Sequence, residues 1–139
     1  MDELKANFLK VVKDNYANFN GRARRKEYWQ FVLVNIIISI ITNILTFISD
    51  YLVFISFIVG LGLLLPSLAV AVRRLHDTNK SGWYLLIALI PILGSLYLLY
   101  LMVVEGDKGT NKYGLDPKGA ENIDPFANQR DEQNPFINS

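Results

Sequence analysis

Two long uncharged stretches constrain the fold more than any other feature of this sequence. From Phe31 to Val72 the only charged residue is Asp50, and from Trp83 to Val104 there is none. About 20 residues of α-helix cross the roughly 30 Å of hydrocarbon in a bilayer. Within that layer the backbone must satisfy its own hydrogen bonds, which favours helices. The stretches therefore predict an all-α integral membrane protein.

We expect three transmembrane helices, with Asp50 in a tight turn between the first two. The predicted spans are 29–49, 51–72 and 83–104. They divide the chain into a basic amphipathic segment at 1–27, a three-helix membrane domain at 28–104 and a polar, flexible tail at 105–139. The tail is rich in Asn, Asp, Gly, Gln and Pro and poor in aliphatic residues, a composition typical of disorder.

The N-terminal segment carries a helical pattern from Asp2 to Phe19. Its apolar residues recur at helical spacing, whereas most of its charges occupy other faces. The apolar positions are Leu4, Phe8, Val11, Val12 and Tyr16. Two interpretations stay open: the helix lies on the membrane surface, or it packs onto loops of the protein itself.

The distribution of positive charge predicts the orientation. Seven Lys and Arg precede Trp29, three lie at 73–82, none lies in the Asp50 turn, and four follow Val104 among seven acids. The positive-inside rule then places the first two segments in the cytoplasm, and the turn and the tail outside. The alternative is a re-entrant third segment, bent at Pro91 and Gly94, which would return the tail to the cytoplasm.

Composition excludes several kinds of chemistry. The formal net charge of +1 gives no reason to expect a nucleic-acid partner. Without cysteine, the chain has no disulfide, thiolate ligand or cysteine nucleophile, and its single histidine argues against a zinc site. We therefore predict no metal and no cofactor.

Two polar clusters flank the apolar stretches and form a hypothetical site for lipid or a partner. Cations followed by aromatic residues suit a helix that enters a negatively charged leaflet, which anchors topology and can also bind a phosphate-bearing lipid. The candidate residues are Arg22, Arg24, Arg25, Lys26, Trp29, Arg73, Arg74, His76, Asp77 and Trp83.

The second cluster also permits a chemical interpretation. His76 and Asp77 are neighbours, so a histidine acting as acid or base is conceivable. However, no serine or cysteine nucleophile stands at a defined spacing from them. The structural interpretation is a compact interfacial loop in which Asp77 pairs with Arg73 or Arg74.

The first span contains a polar stripe. Its residues recur at helical spacing and so share one face, which in hydrocarbon should meet protein or line a cavity. They are Asn35, Ser39, Thr42, Asn43 and Thr46. We expect this stripe to pack against the other spans or a partner subunit, since no ionisable residue of a transport path accompanies it.

Three ordered motifs carry a resemblance to a known family. They are GRARRKEYW at 21–29, RRLHD at 73–77 with SGW at 81–83, and GTNKYGLDP at 109–117. Together they resemble the small bacterial inner-membrane proteins catalogued as domain of unknown function 805, over roughly residues 10–118. Lys112 stands where arginine is expected in the third motif. The resemblance implies a bacterial cytoplasmic-membrane protein and no established activity.

The sequence thus favours a non-enzymatic accessory or assembly subunit that binds a larger membrane complex, anionic lipid headgroups, or both. A small channel or transporter subunit, built as a homo-oligomer around the polar stripe, is the second hypothesis. An enzyme acting on a lipid headgroup through His76 is the third.

Overall fold

The structure, a computed structural model, describes residues 1–119 and consists of helices joined by short loops. In chain order these are α1 (Asp2–Leu9), continued by a π-helical turn (Lys10–Asp14), α2 (Arg25–Thr46), α3 (Leu52–Asp77), a 3₁₀-helix (Gly82–Leu89) and α4 (Leu93–Val103).

The first two predicted spans are present as long helices. α2 and α3 have 22 and 26 residues and are apolar enough to cross a membrane. Five residues separate them, and turn hydrogen bonds such as Ile48 N to Leu45 O hold this connection. Pro66 lies within α3 without ending it. α2 and α3 therefore form an antiparallel pair with the Asp50 turn at one end.

The predicted third span is not one helix. The 3₁₀-helix ends at Leu89, and α4 begins at Leu93 after a sharp turn in which the Leu93 N–H bonds to the Pro91 carbonyl at 2.7 Å. Ile92 has φ +62° and ψ −67°, the geometry of a classic γ-turn. A Cβ on Gly94 would lie 1.8 Å from the Ile87 carbonyl oxygen, so this close approach requires glycine.

Both ends of this third segment lie at the same end of α3. Gly82 touches Val72, and the carbonyls of Met102 and Val104 accept hydrogen bonds from Arg74. Eight residues of 3₁₀-helix and eleven of α-helix each extend about 16 Å, roughly half of the hydrocarbon thickness. The segment is a bent hairpin, so its backbone matches the re-entrant alternative.

The N-terminal helix packs onto α2. The rings of Phe8 and Phe31 stack with centroids 5.5 Å apart, and Asn7 hydrogen-bonds to Gln30. Val11 is fully buried in this contact region. The regular helix ends at Asp14, earlier than the predicted Phe19. Of the two interpretations, packing on the protein itself is observed, although the contact is with a helix and not with loops.

The beginning of the predicted flexible tail is folded. Residues 105–119 lie against the end of α3, with the Asp107 N–H bonded to the Asp77 carbonyl at 2.7 Å. Asn111 and Gly114 exchange two backbone hydrogen bonds, each 3.1 Å long. We call residues 105–119 the strap. The expectation of disorder is wrong for this part because long-range hydrogen bonds order it, and residues 120–139 lie outside the described part.

Candidate functional site

The three sequence motifs meet in one buried ion-pair network at the end of α3. At its centre is Asp77, whose Oδ1 lies 3.0 Å from the Arg22 side chain and whose Oδ2 lies 2.5 Å from Arg74 Nη1. All three side chains are almost fully buried. The predicted pairing of Asp77 with Arg74 is confirmed, whereas Arg22 is an additional partner from 55 residues away.

Backbone carbonyls complete the coordination of these two arginines. Arg22 donates to the carbonyls of Gly109 at 2.6 Å and of Asp107 in the strap. Arg74 donates to the carbonyls of Met102 at 3.2 Å and of Val104 at the end of α4. Each guanidinium thus joins the C-terminal part of the chain to α3 or to the segment before α2.

A second buried pair joins α2 to α3. Arg73 Nη1 lies 2.8 Å from Glu27 Oε1, and Lys10 reaches the other oxygen of Glu27 at 3.0 Å. The Ala23 N–H also bonds to the Arg73 carbonyl at 2.9 Å. Arg73 Nε and Nη2 are buried without a hydrogen-bond partner among residues 1–119. Arg73 therefore pairs with Glu27, not with Asp77.

His76 belongs to the same end of α3 but makes different contacts. Its Nδ1 lies 3.0 Å from the Gly21 carbonyl, and its ring stacks on Tyr113 with centroids 3.9 Å apart and planes 3° apart. The His76 carbonyl accepts a hydrogen bond from the Asn111 side chain at 2.9 Å. One residue thus contacts both the first and the third sequence motif.

The remaining candidate cations of the first motif lie nearer the surface. Arg24 is half-buried at the residue before α2. Arg25 is half-buried and donates to the Val103 carbonyl at 3.3 Å. Lys26 lies 2.5 Å from Glu3, and this hydrogen bond lowers the pKa of the Glu3 carboxyl.

The two tryptophans occupy the same end of the molecule in different settings. Trp29 donates its indole N–H to the Met102 carbonyl at 3.2 Å. Trp83, at the start of the 3₁₀-helix, is 77% exposed. Exposed indoles beside apolar helices are typical of the headgroup level of a membrane. This end of the molecule therefore has an interfacial character.

Burial decides what the ion-pair network does. Charges removed from solvent are tolerated when they are paired and hydrogen-bonded, and loss of one partner is costly. The four members Arg22, Arg73, Arg74 and Asp77 are buried. Their expected role in binding lipid or a partner stays a prediction. Within residues 1–119, no three His, Asp or Glu side chains cluster as metal ligands. The network joins segments of the chain.

The polar stripe of α2 lies apart from this network and is mostly satisfied by its own helix. Asn43 Nδ2 donates to the Ser39 carbonyl at 2.7 Å, and Thr46 donates to the Asn43 carbonyl at 2.7 Å. One hydrogen bond crosses to α3, from Ser56 Oγ to the Thr42 carbonyl at 3.3 Å. Ser39 and Asn43 remain exposed, so within one chain these two do not pack as expected.

Two open grooves flank the contact between α2 and α3. The larger, of about 590 Å³, includes Tyr28, Asn35, Ser39 and Asn43 among its lining residues. The smaller, of about 290 Å³, shares Asn35 and Ser39 and is also lined by Thr42. Among residues 1–119 the Asn35 side chain makes no hydrogen bond. The stripe thus borders open apolar grooves.

Sequence reasoning missed two residues that organise the network. Glu27 appeared only as part of a basic motif, yet it is 2% exposed and holds Arg73. Gly106 lies so close to Asp77 that a Cβ there would be 1.9 Å from Oδ2. A single acid directly after four cations was an available signal for Glu27. Gly106 offered none, because its contact depends on how the strap folds.

Comparison with known proteins relates these motifs to uncharacterised membrane proteins. Residues 16–115 match the family described as "Protein of unknown function (DUF805)". The chain is 47% identical over 116 residues to inner membrane protein YhaI of Escherichia coli K12, covering 83% of this chain and 98% of that protein. It is 43% identical over 116 residues to inner membrane protein YhaH of the same strain, covering 80% and 95%. No solved structure matches the chain significantly.

Proposed function

The chain belongs to the DUF805 family of proteins of unknown function, and from that premise we propose that it is a non-enzymatic inner-membrane protein acting as an accessory or assembly subunit. The names of its relatives support the location. The observation that carries the role is the open groove between α2 and α3, bordered by amides that the chain leaves partly unpaired. The occupant we assign to it is a transmembrane helix of a partner protein.

Hydrogen bonding distinguishes this occupant from lipid. An amide placed in hydrocarbon without a partner costs several kcal/mol by transfer measurements, about 4–8 to cyclohexane. Acyl chains offer neither donors nor acceptors, whereas a polar helix face offers both. Asn35 has both types of group available, and the exposed Asn43 uses one donor within its own helix. A helix with small and polar residues satisfies these groups and fills the groove.

The engagement of the acid and base groups supports a non-enzymatic role. Asp77 is shared by two arginines, and Glu27 by Arg73 and Lys10. A general acid or base must exchange its proton with a substrate, and these carboxylates are committed to structural pairs. We therefore assign these buried charged groups to structural contacts and not to catalysis.

The proposed orientation places the network at the cytoplasmic face. Residues 1–28 and 73–82 together carry ten Lys and Arg, whereas the 47–51 turn carries one acid and no cation. Short basic segments remain in the cytoplasm. Because the strap contacts Arg22 and Asp77, it lies on that same side. This revises the expected outside location of the tail for residues 105–119.

Site-specific photo-cross-linking in native membranes tests the groove. A photoreactive amino acid at Ser39, inside the groove, is compared with one at Ile41, which is exposed and lines neither groove. We expect Ser39 to give one cross-linked protein of constant mass that is not this chain, and Ile41 to give lipid adducts only.

The other outcomes discriminate among the hypotheses. A cross-link from Ser39 to a second copy of this chain would replace the accessory role by the homo-oligomeric channel or transporter subunit. Equal lipid labelling from Ser39 and Ile41 would overturn the assignment of a helix to the groove. Mass spectrometry of each adduct identifies which result holds.

A further inference from the structure

A further cavity lies beside His76, outside the ion pairs of the network. It has a volume of about 460 Å³ and opens between the loop before Gly21, the end of α3 and the start of the 3₁₀-helix. Its lining residues are Phe19, Asn20, Val72, His76, Ser81, Gly82 and Trp83. The cavity combines apolar and aromatic walls with a few polar groups, as binding pockets for small molecules do.

His76 lines this cavity and has one ring nitrogen without a partner among the described residues. Its Nδ1 faces the Gly21 carbonyl at 3.0 Å. A carbonyl oxygen only accepts hydrogen bonds, so Nδ1 carries the proton and neutral His76 has a lone pair on Nε2. The residue is 9% exposed, and its Nε2 has no partner within residues 1–119. A group that donates a hydrogen bond, such as a hydroxyl, would complete its contacts.

Ser81 lines the same cavity, and two lysines lie next to lining residues without lining it themselves. Ser81 accepts the Trp83 N–H through Oγ, which leaves its hydroxyl proton available. Lys80 precedes Ser81 in the chain, with its Nζ 6.0 Å from the centre of the Tyr84 ring. Lys112 lies 5.0 Å over the Tyr113 ring that stacks on His76. Neither lysine makes an ion pair among the described residues, so both are available to an anion.

The cavity is at the level where a membrane would present headgroups. Val72 is the last residue of the apolar part of α3, and Trp83 begins the next apolar segment. Trp83 is exposed on the wall of the cavity, as indoles at membrane interfaces are. A ligand here would have its polar part at His76 and the lysines and its apolar part along the helices.

We propose that this cavity binds the headgroup of an anionic phospholipid, with the phosphate near Lys80, Lys112 and Ser81 and a headgroup hydroxyl donating to His76 Nε2. The site lies apart from the α2–α3 groove and rests on the proposed function only in requiring a membrane. It keeps His76 and Trp83 from the expected lipid site and adds Lys80 and Lys112.

Trp83 serves as the reporter of binding. The full chain carries two tryptophans, so the Trp29→Phe variant leaves Trp83 alone. Dihexanoyl phosphatidylglycerol, which has both a phosphate and headgroup hydroxyls, is titrated in detergent against dihexanoyl phosphatidylcholine. We expect a saturable fluorescence change with the glycerol lipid and a change at least tenfold weaker with the choline lipid.

Two variants and one control locate the site. Lys80→Gln combined with Lys112→Gln should weaken binding about 30-fold, from roughly 1 kcal/mol for each cation at a membrane surface. Lys5→Gln with Lys13→Gln removes the same charge from exposed positions of the N-terminal segment. This control pair should change the affinity for the lipid less than twofold. His76→Asn keeps a donor toward Gly21 but removes Nε2, and should abolish the preference for the hydroxylated headgroup.

Three results would overturn the proposal. These are equal affinity for the two lipids, an equal loss of lipid affinity in both lysine double variants, or an unchanged preference of His76→Asn for the hydroxylated headgroup. If His76→Asn does not fold, the lysine pairs alone decide. Cross-linking from Ser39 is an independent readout. A negative lipid titration therefore does not affect the proposed accessory role, and a negative cross-linking result does not affect this lipid site.

Discussion

The network end of the molecule and the long helices α2 and α3 are built on opposite principles. At the network end, Arg22, Arg74 and Asp77 are buried and joined by hydrogen bonds from four separate segments. Along the spans, only 6% of the most apolar 18 residues of α2 and 17% of those of α3 are buried within the chain. One end is thus complete in itself, whereas the spans present their surface to the surroundings.

This difference reflects the two solvents of a membrane protein. In hydrocarbon an apolar side chain loses nothing by exposure, so α2 and α3 need little mutual burial to be stable. At the interface, loops must satisfy polar backbone groups, and here arginine side chains satisfy those of the strap and α4. The molecule therefore concentrates its specific folding contacts at one face of the membrane.

The largest effect is expected from breaking the centre of the network. Asp77→Ala leaves Arg22 and Arg74 buried without their carboxylate, which should destabilise the fold by about 3–5 kcal/mol. The matched control is Glu105→Ala, because Glu105 is an exposed acid that pairs with Arg25 and Lys118 at 3.9 and 3.6 Å. It should cost at most about 1 kcal/mol.

Reversible unfolding in mixed micelles, followed by circular dichroism, measures both variants. Equal losses of stability in Asp77→Ala and Glu105→Ala would show that burial of the network adds no stability. The contrast between the network end and the long helices would then fail. A partly exposed ion pair would be worth only about 0.2–1 kcal/mol, so the size of the loss reports the burial of Asp77.

A smaller effect is expected from the contact between the strap and Asp77. Gly106→Ala places a Cβ within 1.9 Å of the carboxylate oxygen, and overpacking of this kind costs about 1–3 kcal/mol. Gly60→Ala in α3 is the control, since a Cβ there meets nothing within 4 Å and alanine favours helix. Limited proteolysis at Lys112 should accelerate in the first variant alone. Unchanged cleavage in Gly106→Ala would contradict the packed strap.

The smallest effect is expected on the spans. Asn43→Leu removes a hydrogen bond to the Ser39 carbonyl within the same helix, so it should change stability in detergent by less than about 1 kcal/mol. Asn43→Lys should be more disruptive than Asn43→Leu, but it should cost less than the roughly 2.5–3.5 kcal/mol of a cation at a helix centre, because Asn43 lies within the last turn of α2. Expression and thermal stability of the two variants compare these costs, and a severe loss from Asn43→Leu would place Asn43 in a packed interface.

Hydropathy predicted α2 and α3 because helices that face lipid are composed mainly of apolar residues. The same signal did not predict the break within 83–104, because apolar residues suit a span and a re-entrant hairpin equally. The decision depends on Gly94 meeting the Ile87 carbonyl and on Arg74 bonding to Met102, contacts between parts folded together. Pro91 marked the site of the bend but not its angle.

The site was predicted in its location and only partly in its connections. Charged motifs beside apolar runs indicated an interfacial cluster, and the three-residue spacing of Arg74 and Asp77 on a helix allowed their pairing. The pairing of Arg22 with Asp77 spans 55 residues, and no local pattern encodes it. Burial, which turns these cations from lipid contacts into structural ones, likewise emerges only when the segments assemble.

The central claim is that the N-terminal segment and the strap share one side of the membrane, opposite the Asp50 turn. The chain has no cysteine, so single cysteines at the exposed positions Lys13, Asp50 and Thr110 can be probed with a membrane-impermeant thiol reagent on intact cells. The account predicts labelling at position 50 alone, with positions 13 and 110 labelled only after the membrane is permeabilised. Labelling of positions 50 and 110 together on intact cells would show that the third segment crosses the membrane, and would contradict the account.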